Sequence, residues 1–290
     1  MNQPLQHNPT FELARELRAV ISADATWTQL AGGKTNRSWR VTGSGFDHVC
    51  KLYPSANKNP LFPNNPHDEF RILCALQESW FTPPAVSLHR TRLGDCVVYE
   101  YVSGQPHTRR DSREVGRALR EVHRIPSNLN LRELPTQPLA IIEHGERILE
   151  SCSGSSVDRL SELKPQIPQL PHVSPVLLHG DLVPANIIQT PSFPVFIDWQ
   201  CPAYGDPCED ISTFLSPAMR VAYSSFPITD DMIDDFLSAY GDGRISDRYY
   251  ALAPLYHWRM AAYCLWKSQH GSHEYQAGYD AEIDALRHYF

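Results

Sequence analysis

Two aspartates and one asparagine follow short apolar runs in the middle of the chain. Asp181 comes three residues after the run 176–178, and Asp198 directly follows the run 195–197. Asn186 lies five residues after Asp181. Carboxylates beside buried strands lose hydration unless a cation compensates them. Mg²⁺ with phosphate meets that need, because it prefers oxygen ligands and keeps coordination positions for water and nucleotide.

The sequence motif of this segment, H-G-D…N…I-D-W, resembles that of the catalytic segment in the aminoglycoside phosphotransferase and choline kinase superfamily. These are small-molecule kinases related to protein kinases, which would read H-R-D and D-F-G. The resemblance implies that Asp181 is the base that accepts the proton of the substrate hydroxyl. It implies that Asn186 and Asp198 hold Mg²⁺.

The same resemblance implies supporting roles for two further residues. His179 belongs to the H-G-D motif, and Asp210 ends the acidic part of the run G-D-P-C-E-D-I. We expect Asp210 to be a buried acid that bonds the catalytic-loop backbone, with helix capping as the alternative. Gln200 stands where many members of the superfamily have Glu, which removes an acid from the neighbourhood of a second metal.

A glycine-containing loop, G-G-K-T-N-R, lies between two predicted strands. Glycines let a backbone approach phosphates and direct N–H groups towards them, although a plain hairpin would have a similar sequence. The spelling is similar to the nucleotide loop of choline and thiamine kinases. The resemblance implies nucleotide contacts from Gly32, Gly33, Thr35 and Asn36.

Lys51 lies among apolar neighbours in the third predicted strand, V-C-K-L-Y. In the superfamily the matching lysine holds the α- and β-phosphates and pairs with a helix glutamate. Glu69, near the start of the next predicted helix, fits that partner. Asp68 is the rival at the same helix start, where the helix dipole favours any acid.

The remaining pattern implies an α+β, bilobal protein-kinase-like fold. We expect a nucleotide-binding lobe over residues 1–102, with a five-stranded antiparallel sheet and a helix, and a larger, mostly helical catalytic lobe over 103–290. Residues 100–104, E-Y-V-S-G, resemble the connector between kinase lobes, and this resemblance implies that main-chain groups of Glu100 and Val102 bond the adenine. Apolar periodicity predicts helices over 11–22, 67–78, 110–124, 139–150, 207–215, 230–240, 247–270 and 272–289.

Composition excludes several function classes. The chain has 290 residues and a net charge of −7, so a basic nucleic-acid-binding face is not expected. No apolar run is long enough to cross a membrane, and the first residues do not read as a secretory signal. Seven scattered cysteines, none in C-x-x-C, favour reduced thiols and a cytoplasmic location. The oligomeric state is left open.

We therefore expect an enzyme that uses ATP, with GTP not excluded, and Mg²⁺ to phosphorylate a hydroxyl of a small molecule. Choline or a related amino-alcohol is the favoured acceptor, because the C-terminal part is acidic and rich in aromatic residues. Asp206, Trp258 and Trp266 are candidates to contact it together with Asp181. Aminoglycoside, thiamine and sugar kinases are alternatives, and a non-catalytic nucleotide-binding pseudokinase is the alternative of another class.

Overall fold

The computed structural model of the chain has two unequal parts, a small lobe built on a sheet and a larger, mostly helical lobe. This confirms the predicted α+β bilobal fold, while the predicted lobe boundary at residue 102 stays a prediction. Of the helices in the described part of the chain, none combines the length and apolarity needed to cross a membrane. The structure describes residues 9–30, 35–54, 59–107, 112–126, 128–224 and 226–290.

The small lobe contains the five-stranded antiparallel sheet that the sequence predicts. Its strands are paired in the order β1-β2-β3-β5-β4. The turn between the second and third strands passes through Gly45 at φ 87°, a left-handed conformation that glycine adopts without steric cost. The elements are α1 (Pro9–Glu16), β1 (Thr26–Gln29), β2 (Arg37–Gly43), β3 (Phe46–Tyr53), α2 (Pro66–Ala75), β4 (Ala85–Thr91) and β5 (Gly94–Glu100).

Alternation along β3 decides which of its side chains meets which helix. Cys50 and Leu52 belong to the small apolar cluster that includes residues of α1. Val49 and Tyr53 belong to the main core, which includes residues of α2. Because successive side chains of a strand point to opposite faces, Lys51 lies on the same face as Val49 and Tyr53. The strand period therefore directs Lys51 towards α2.

The large lobe is built around one long helix, α9, which packs against α4, α6 and α10. Fifteen of its residues are buried, so it forms the centre of the lobe. The helices are α3 (Ser112–His123), α4 (Pro138–Leu149), α5 (Ser155–Glu162), α6 (Cys208–Leu215), α7 (Pro217–Tyr223), α8 (Asp230–Tyr240), α9 (Gly243–Gln269) and α10 (Gln276–Arg287).

Several predicted helix ends were wrong by a few residues because capping groups and turns shift them. Helix α9 starts at Gly243 rather than 247, since the Asp242 side chain accepts from the Arg244 N–H at 3.1 Å. A 3-10 turn, His273–Tyr275, precedes α10, so this helix begins later than predicted. Helix α1 ends at Glu16, and turns follow it up to residue 22. Residues 110 and 111 of the predicted helix 110–124 lie outside the described residues.

Two small sheets hold the segments around the catalytic motif. In one, β9 (Ile187–Gln189) pairs with β10 (Pro194–Phe196) and with β6 (Gln105–Pro106). In the other, β11 (Ala203–Gly205) pairs with β8 (Val176–Leu178) and β7 (Arg132–Glu133). The two predicted apolar runs thus occupy separate sheets, and the residues between and after them form the connecting loops.

We predict that Gly145→Ala destabilises the large lobe, because the packing of α4 on α9 leaves no room for a methyl group there. A Cβ at Gly145 would lie 2.4 Å from the Trp258 ring. That ring is 1% exposed and its Nε1–H donates to the Leu160 carbonyl at 2.7 Å, so it has little freedom to move. The added clash should lower the free energy of unfolding by about 1–3 kcal/mol.

Gly243→Ala is the matched control, because it lies in a helix and a Cβ there meets nothing within 4 Å. Gly145→Ala gains about 1 kcal/mol of helix propensity in the interior of α4, whereas Gly243→Ala, at the first residue of α9, gains less. A Gly145→Ala variant that is less stable than Gly243→Ala in urea unfolding therefore reports the clash. Equal values for the two variants would contradict the packing argument.

Candidate functional site

A glycine fixes the turn that leads into Asp181. Gly180 has φ 81°, and a Cβ there would lie 2.1 Å from the Cys201 carbonyl oxygen. The loop then makes a 3-10 turn over Pro184–Asn186. The Asn186 carbonyl accepts from the Ile197 N–H at 2.9 Å, which places Asn186 beside the residue that precedes Asp198. Residues that are distant in the chain are thus brought next to each other.

Asp198 itself has an unusual backbone conformation. Its φ is 66°, and among the described residues other than glycine it alone has a positive φ. Aspartate tolerates the left-handed region better than most residues, but the conformation still costs free energy and persists only when its surroundings enforce it. The surrounding fold therefore holds Asp198 in a backbone conformation that an aspartate on its own would rarely adopt, and this sets the direction of its carboxylate.

Asp210 holds the start of the catalytic loop. Its carboxylate accepts from the backbone N–H of His179 at 2.7 Å and of Gly180 at 2.8 Å, and from His123 Nε2 at 3.2 Å. Burial opposes its charge, but the hydrogen bonds and His123 hold the pKa of this carboxyl below its ordinary value. This contact with the loop backbone is the one expected for Asp210, and capping of its own helix is not needed to explain it.

His179 fixes the other side of the same loop. Its Nε2–H donates to the Ile197 carbonyl at 3.0 Å, so Nδ1 is left as an acceptor for the Asp181 N–H at 3.3 Å. The fully buried imidazole therefore connects the segment before Asp198 to the backbone of Asp181.

Lys51 is buried between two carboxylates. Its ammonium donates to Glu69 at 2.7 Å and also contacts Asp198. Desolvation opposes the charge, but Asp198 and Glu69 together raise the pKa of Lys51 above its ordinary value, so the ammonium stays charged. Asp68, the rival partner, instead accepts from Asn65 Nδ2 and from Arg71, both at 2.6 Å.

Lys51, Asp181, Asn186 and Asp198 line one cavity between the small-lobe sheet and the catalytic loop. Burial raises the pKa of Asp181 to about 7, the charge of Asp198 adds to the rise, and a hydrogen bond from Gln200 opposes it. The structure thus brings together the four side chains that the sequence singles out. Their spacing along the chain did not require this.

The donor set in the cavity fits a hard cation with phosphate. Asn186 commits its amide nitrogen to the Asp181 carbonyl at 2.9 Å, which leaves its oxygen as the ligand atom. The charge of Asp198 raises the pKa of Asp181, and a divalent ion would relieve this repulsion. In the described ranges no group of three or more His, Cys, Asp or Glu side chains is placed to hold a metal. Water and phosphate would therefore complete the coordination shell of Mg²⁺, as they usually do at protein sites.

The opposite side of the cavity, which we call the tyrosine wall, is formed by Asn59, Phe62, Met219, Tyr223, Tyr263, Lys267 and Tyr275. The hydroxyls of Tyr223 and Tyr275 are 2.9 Å apart, and Asn59 Nδ2 donates to the Tyr263 hydroxyl at 3.0 Å. Burial raises the pKa of Tyr275 to about 12, and the charge of Asp181 contributes to the rise. The wall therefore lies within the electrostatic reach of Asp181.

Three residues predicted to contact the acceptor are not part of this cavity. Asp206 is 2% exposed and pairs with Arg248 at 2.7 Å, so its carboxylate supports the start of α6 instead. Trp258 is buried against α4. Trp266 packs on His270 with ring centroids 4.9 Å apart, behind Tyr263. These predictions were wrong in placement, because the acid has a cationic partner and both indoles belong to the packing of α9.

The predicted nucleotide residues are described only in part. Gly32 and Gly33 lie outside the described residues. Thr35 and Asn36 line the cavity. The Glu100 N–H donates to the Pro84 carbonyl at 3.0 Å, so this group is engaged within the small lobe. Val102 follows the end of β5 by two residues. All the predicted nucleotide contacts stay predictions, including those of the Glu100 carbonyl and of Val102.

Sequence reasoning missed most of the tyrosine wall and the contacts of Gln200. Tyr263 and Tyr275 stood out only as aromatic residues near the C-terminus. Asn59, Met219 and Lys267 gave no signal, because they lie on three separate segments. Tyr263 and Lys267 are four residues apart on α9, a spacing that would have placed them on one helix face.

We predict that Lys51→Met lowers the free energy of unfolding by about 3 kcal/mol, because it leaves a buried carboxylate without its cation. Glu69 is fully buried, so its charge has no solvent to replace the ammonium. Adding Glu69→Gln to Lys51→Met should recover at least half of the loss, measured by urea unfolding.

Arg113→Met is the control for a surface pair, since Arg113 and Asp235 are 2.6 Å apart with side chains 48% and 51% exposed. It should change the free energy by less than about 1 kcal/mol. If Lys51→Met is no more destabilising than Arg113→Met, the buried pair does not stabilise the two segments as argued.

Comparison with known proteins supports the kinase-like fold. Solved structures similar to the chain include a choline/ethanolamine kinase family protein from Mesorhizobium loti, with a TM-score of 0.67, 16% identity, and coverage of 96% of this chain and 93% of that one. Plasmodium vivax ethanolamine kinase gives a TM-score of 0.69 at 14% identity, covering 97% and 88%. A thermostable mutant of an aminoglycoside phosphotransferase, bound to ADP and hygromycin B, gives 0.64 at 14% identity, covering 95% and 98%.

At these identities the structural likeness shows the fold alone. No curated protein matches the chain in sequence. Residues 26–255, most of the chain, match the family described as phosphotransferase enzymes. This match includes Lys51, Asp181, Asn186 and Asp198. The chain therefore belongs to the phosphotransferase enzyme family, whose small-molecule kinase fold it has.

Proposed function

We propose that the protein transfers the γ-phosphoryl group of ATP, with Mg²⁺, to a hydroxyl group of a small molecule. The observation that carries the proposal is the meeting of Lys51, Asp181, Asn186 and Asp198 in one cavity. Similar solved structures of aminoglycoside phosphotransferases contain ADP or AMP-PNP, which supports a nucleotide as the phosphoryl donor. The proposal covers GTP as well, because these four side chains would meet phosphate and metal rather than the base.

Asp181 is the proposed base. Its half-buried carboxylate accepts from Gln200 Nε2 at 3.2 Å, and a pKa raised to about 7 suits proton transfer near neutral pH. It would orient the acceptor hydroxyl and take its proton as the hydroxyl oxygen attacks the γ-phosphorus. Orientation accounts for much of the acceleration in such reactions, because the transition state is loose and needs little covalent help.

Lys51, with Glu69 behind it, would hold the α- and β-phosphates of the nucleotide. Asn186 and Asp198 would hold Mg²⁺. The bound ion would supply positive charge to the phosphate oxygens as the γ-phosphoryl group is transferred. The ammonium of Lys51 now contacts Asp198, so phosphate and metal together would replace that contact.

We predict that Asp181→Asn lowers turnover by at least about 10²-fold while nucleotide affinity changes little, because the base acts on the acceptor rather than on the nucleotide. Asp198→Asn should lower both turnover and the affinity for Mg·AMP-PNP, because it removes a metal ligand. ADP release and calorimetric binding would measure the two effects.

Asp284→Asn, on the exposed face of α10, is the control for loss of an aspartate charge, since its side chain is 70% exposed. Full turnover of Asp181→Asn would contradict the assignment of the base. Nucleotide binding without ADP release by the unaltered protein, with any acceptor or with water, would favour the non-catalytic alternative.

The acceptor we propose is a small cationic alcohol such as choline or a related amino-alcohol. Three tyrosines of the tyrosine wall lie near Asp181, and aromatic faces attract quaternary ammonium groups by about 0.5–2 kcal/mol. Choline and ethanolamine kinases are among the similar solved structures. Tyr223, Tyr263 and Tyr275 thus take the place of the tryptophans that the sequence favoured.

Lys267 favours a second candidate, an acceptor that carries a carboxylate beside its hydroxyl. Its ammonium lies over the Tyr275 ring, 5.2 Å from the centroid, so the tyrosine wall already contains a cation. A second positive charge at short range would be repelled, whereas a carboxylate would be attracted. The two candidates therefore differ in the sign of the acceptor charge.

We predict that Lys267→Met raises kcat/KM for cationic acceptors and lowers it for carboxylate-bearing acceptors, each by about 5- to 10-fold, because it removes one charge from the tyrosine wall. ADP release would be measured with choline, ethanolamine, thiamine, glucose and glycerate. Lys164→Met is the control, because Lys164 pairs with Glu146 and does not line the cavity.

Preference of the unaltered protein for choline or ethanolamine would support the first candidate, and preference for glycerate the second. Equal effects of Lys267→Met on both charge classes would contradict a role of Lys267 in acceptor choice.

A further inference from the structure

Four side chains form a continuous chain of hydrogen bonds from the small lobe to Asp181. Asn64 and Asn36 pair reciprocally, at 2.8 Å from Asn64 Nδ2 to Asn36 Oδ1 and at 2.9 Å in the other direction. Asn36 Nδ2 also donates to Gln200 Oε1 at 2.9 Å. Gln200 Nε2 donates to Asp181 Oδ2 at 3.2 Å. We call this series the amide chain.

The direction of every bond in the amide chain follows from Asp181 in its ionised form, the form in which it would act as a base. An ionised carboxylate can only accept, so Gln200 must turn its NH₂ group towards Asp181. Its oxygen then faces Asn36, which must present its own NH₂ group. The reciprocal pairing with Asn64 uses the oxygen of Asn36 and the second N–H of that NH₂ group. A side chain that only accepts, or only donates, could not replace Gln200 in this series.

The amide chain is sheltered from water. Asn36 and Gln200 are each 7% exposed, so solvent competes little for their hydrogen bonds. The Gln200 backbone is held separately, because its carbonyl accepts from the Asn65 N–H at 3.0 Å. Replacing the side chain therefore removes the link to Asp181 without removing the backbone contact between the same segments.

Asn36 lies at the end of the loop that precedes β2, next to Thr35, and both residues line the cavity. The ion pairs of Lys51 connect the small lobe to Asp198, the proposed metal ligand. The amide chain makes a second connection, and it ends on the proposed base. Each of the two aspartates thus has its own link to the small lobe.

We propose that Gln200 is a positioning residue, which orients the Asp181 carboxylate through its amide and makes that orientation depend on Asn36. This inference rests on the proposed function for the role of Asp181. It gives a reason for glutamine at this position, because a glutamate carboxylate would accept from Asn36 but could not donate to an ionised Asp181. The position therefore supplies a hydrogen-bond donor to the base instead of a further negative charge.

Crystal structures with Mg·AMP-PNP test the positioning without relying on turnover. In Gln200→Leu, which keeps the side-chain size, and in Gln200→Glu, which keeps the acceptor for Asn36, the Asp181 carboxylate should leave its position or occupy two rotamers. In the unaltered protein it should occupy one. An unchanged Asp181 rotamer in both variants would overturn the proposal, whether or not an acceptor is known.

Kinetics supply the second test, with ADP release measured with ethanolamine and with water as acceptors. Both Gln200 variants should lower kcat by about 10- to 100-fold, while the KM for ATP stays within about 2-fold, because Asn36 itself is still present. At saturating ATP, the kcat of Asn36→Ala combined with Gln200→Leu should equal that of Gln200→Leu alone, because loss of a nucleotide contact from Asn36 would appear in the KM for ATP. Additive losses of kcat in the double variant, or parallel changes of kcat and KM in the Gln200 variants, would overturn the proposal.

Gln269→Leu is the matched control, because the Gln269 amide also makes one bond as acceptor and one as donor. It accepts from the Ser153 N–H at 3.0 Å and donates to the Ser153 carbonyl at 2.8 Å, and it lies away from the cavity. It should leave kcat unchanged. The two proposals fail differently: no ADP release by the unaltered protein with water, choline, ethanolamine, thiamine, glucose or glycerate would contradict the kinase function, while an unmoved Asp181 would contradict only the role of Gln200.

Discussion

A lysine ammonium buried between two carboxylates is the constraint on which the rest of the structure depends. The Lys51 and Glu69 side chains are 3% and 1% exposed, and Asp198 completes the group with 29%. Each of these charges would cost several kcal/mol to bury alone. The three charges therefore favour the arrangement in which β3, α2 and the loop after β10 lie together, and this places Lys51 and Asp198 in the cavity proposed to bind nucleotide and metal.

In the large lobe, a buried carboxylate also satisfies polar groups that would otherwise lack partners. The catalytic loop turns sharply after β8, and its first backbone N–H groups would be buried without partners. Asp210 accepts from two of them, and His179 connects the loop to the segment before Asp198. Because α6 carries Asp210 and packs on α9, the core of the lobe fixes the backbone that leads into the proposed base, while Gln200 contacts its carboxylate.

The sequence predicted those parts of the site that depend on local spacing. Asp181 and Asp198 follow apolar strands, and the two-residue period of β3 sets the face of Lys51. It did not predict the tyrosine wall, whose residues come from segments that share no local pattern. On α9 the error has a clear cause: the helix is buried on most of its circumference. The spacing of Trp258 and Trp266 therefore identified a helix face without showing which face borders the cavity.

Long-range pairing explains the remaining errors. Asp206 stood out as an acid close to the catalytic segment, but its partner Arg248 lies on α9, 42 residues away. No local pattern shows that a carboxylate is already neutralised by a distant guanidinium. The short helix α7 was not predicted from the sequence. Its 7 residues give too few apolar repeats to be distinguished from a loop.

Helix α9 shows how acceptor choice and catalysis are kept apart in this architecture. Tyr263 and Lys267 lie on the face that borders the cavity. Arg248 and Arg259 bind Asp206 and Glu209, which flank the start of α6, and so support the helix that carries Asp210. Substitutions on the cavity side of α9 can thus change the charge and shape of the tyrosine wall while these ion pairs stay in place. This separation would allow the proposed acceptor side of the cavity to vary while the side chains proposed for phosphoryl transfer stay in place.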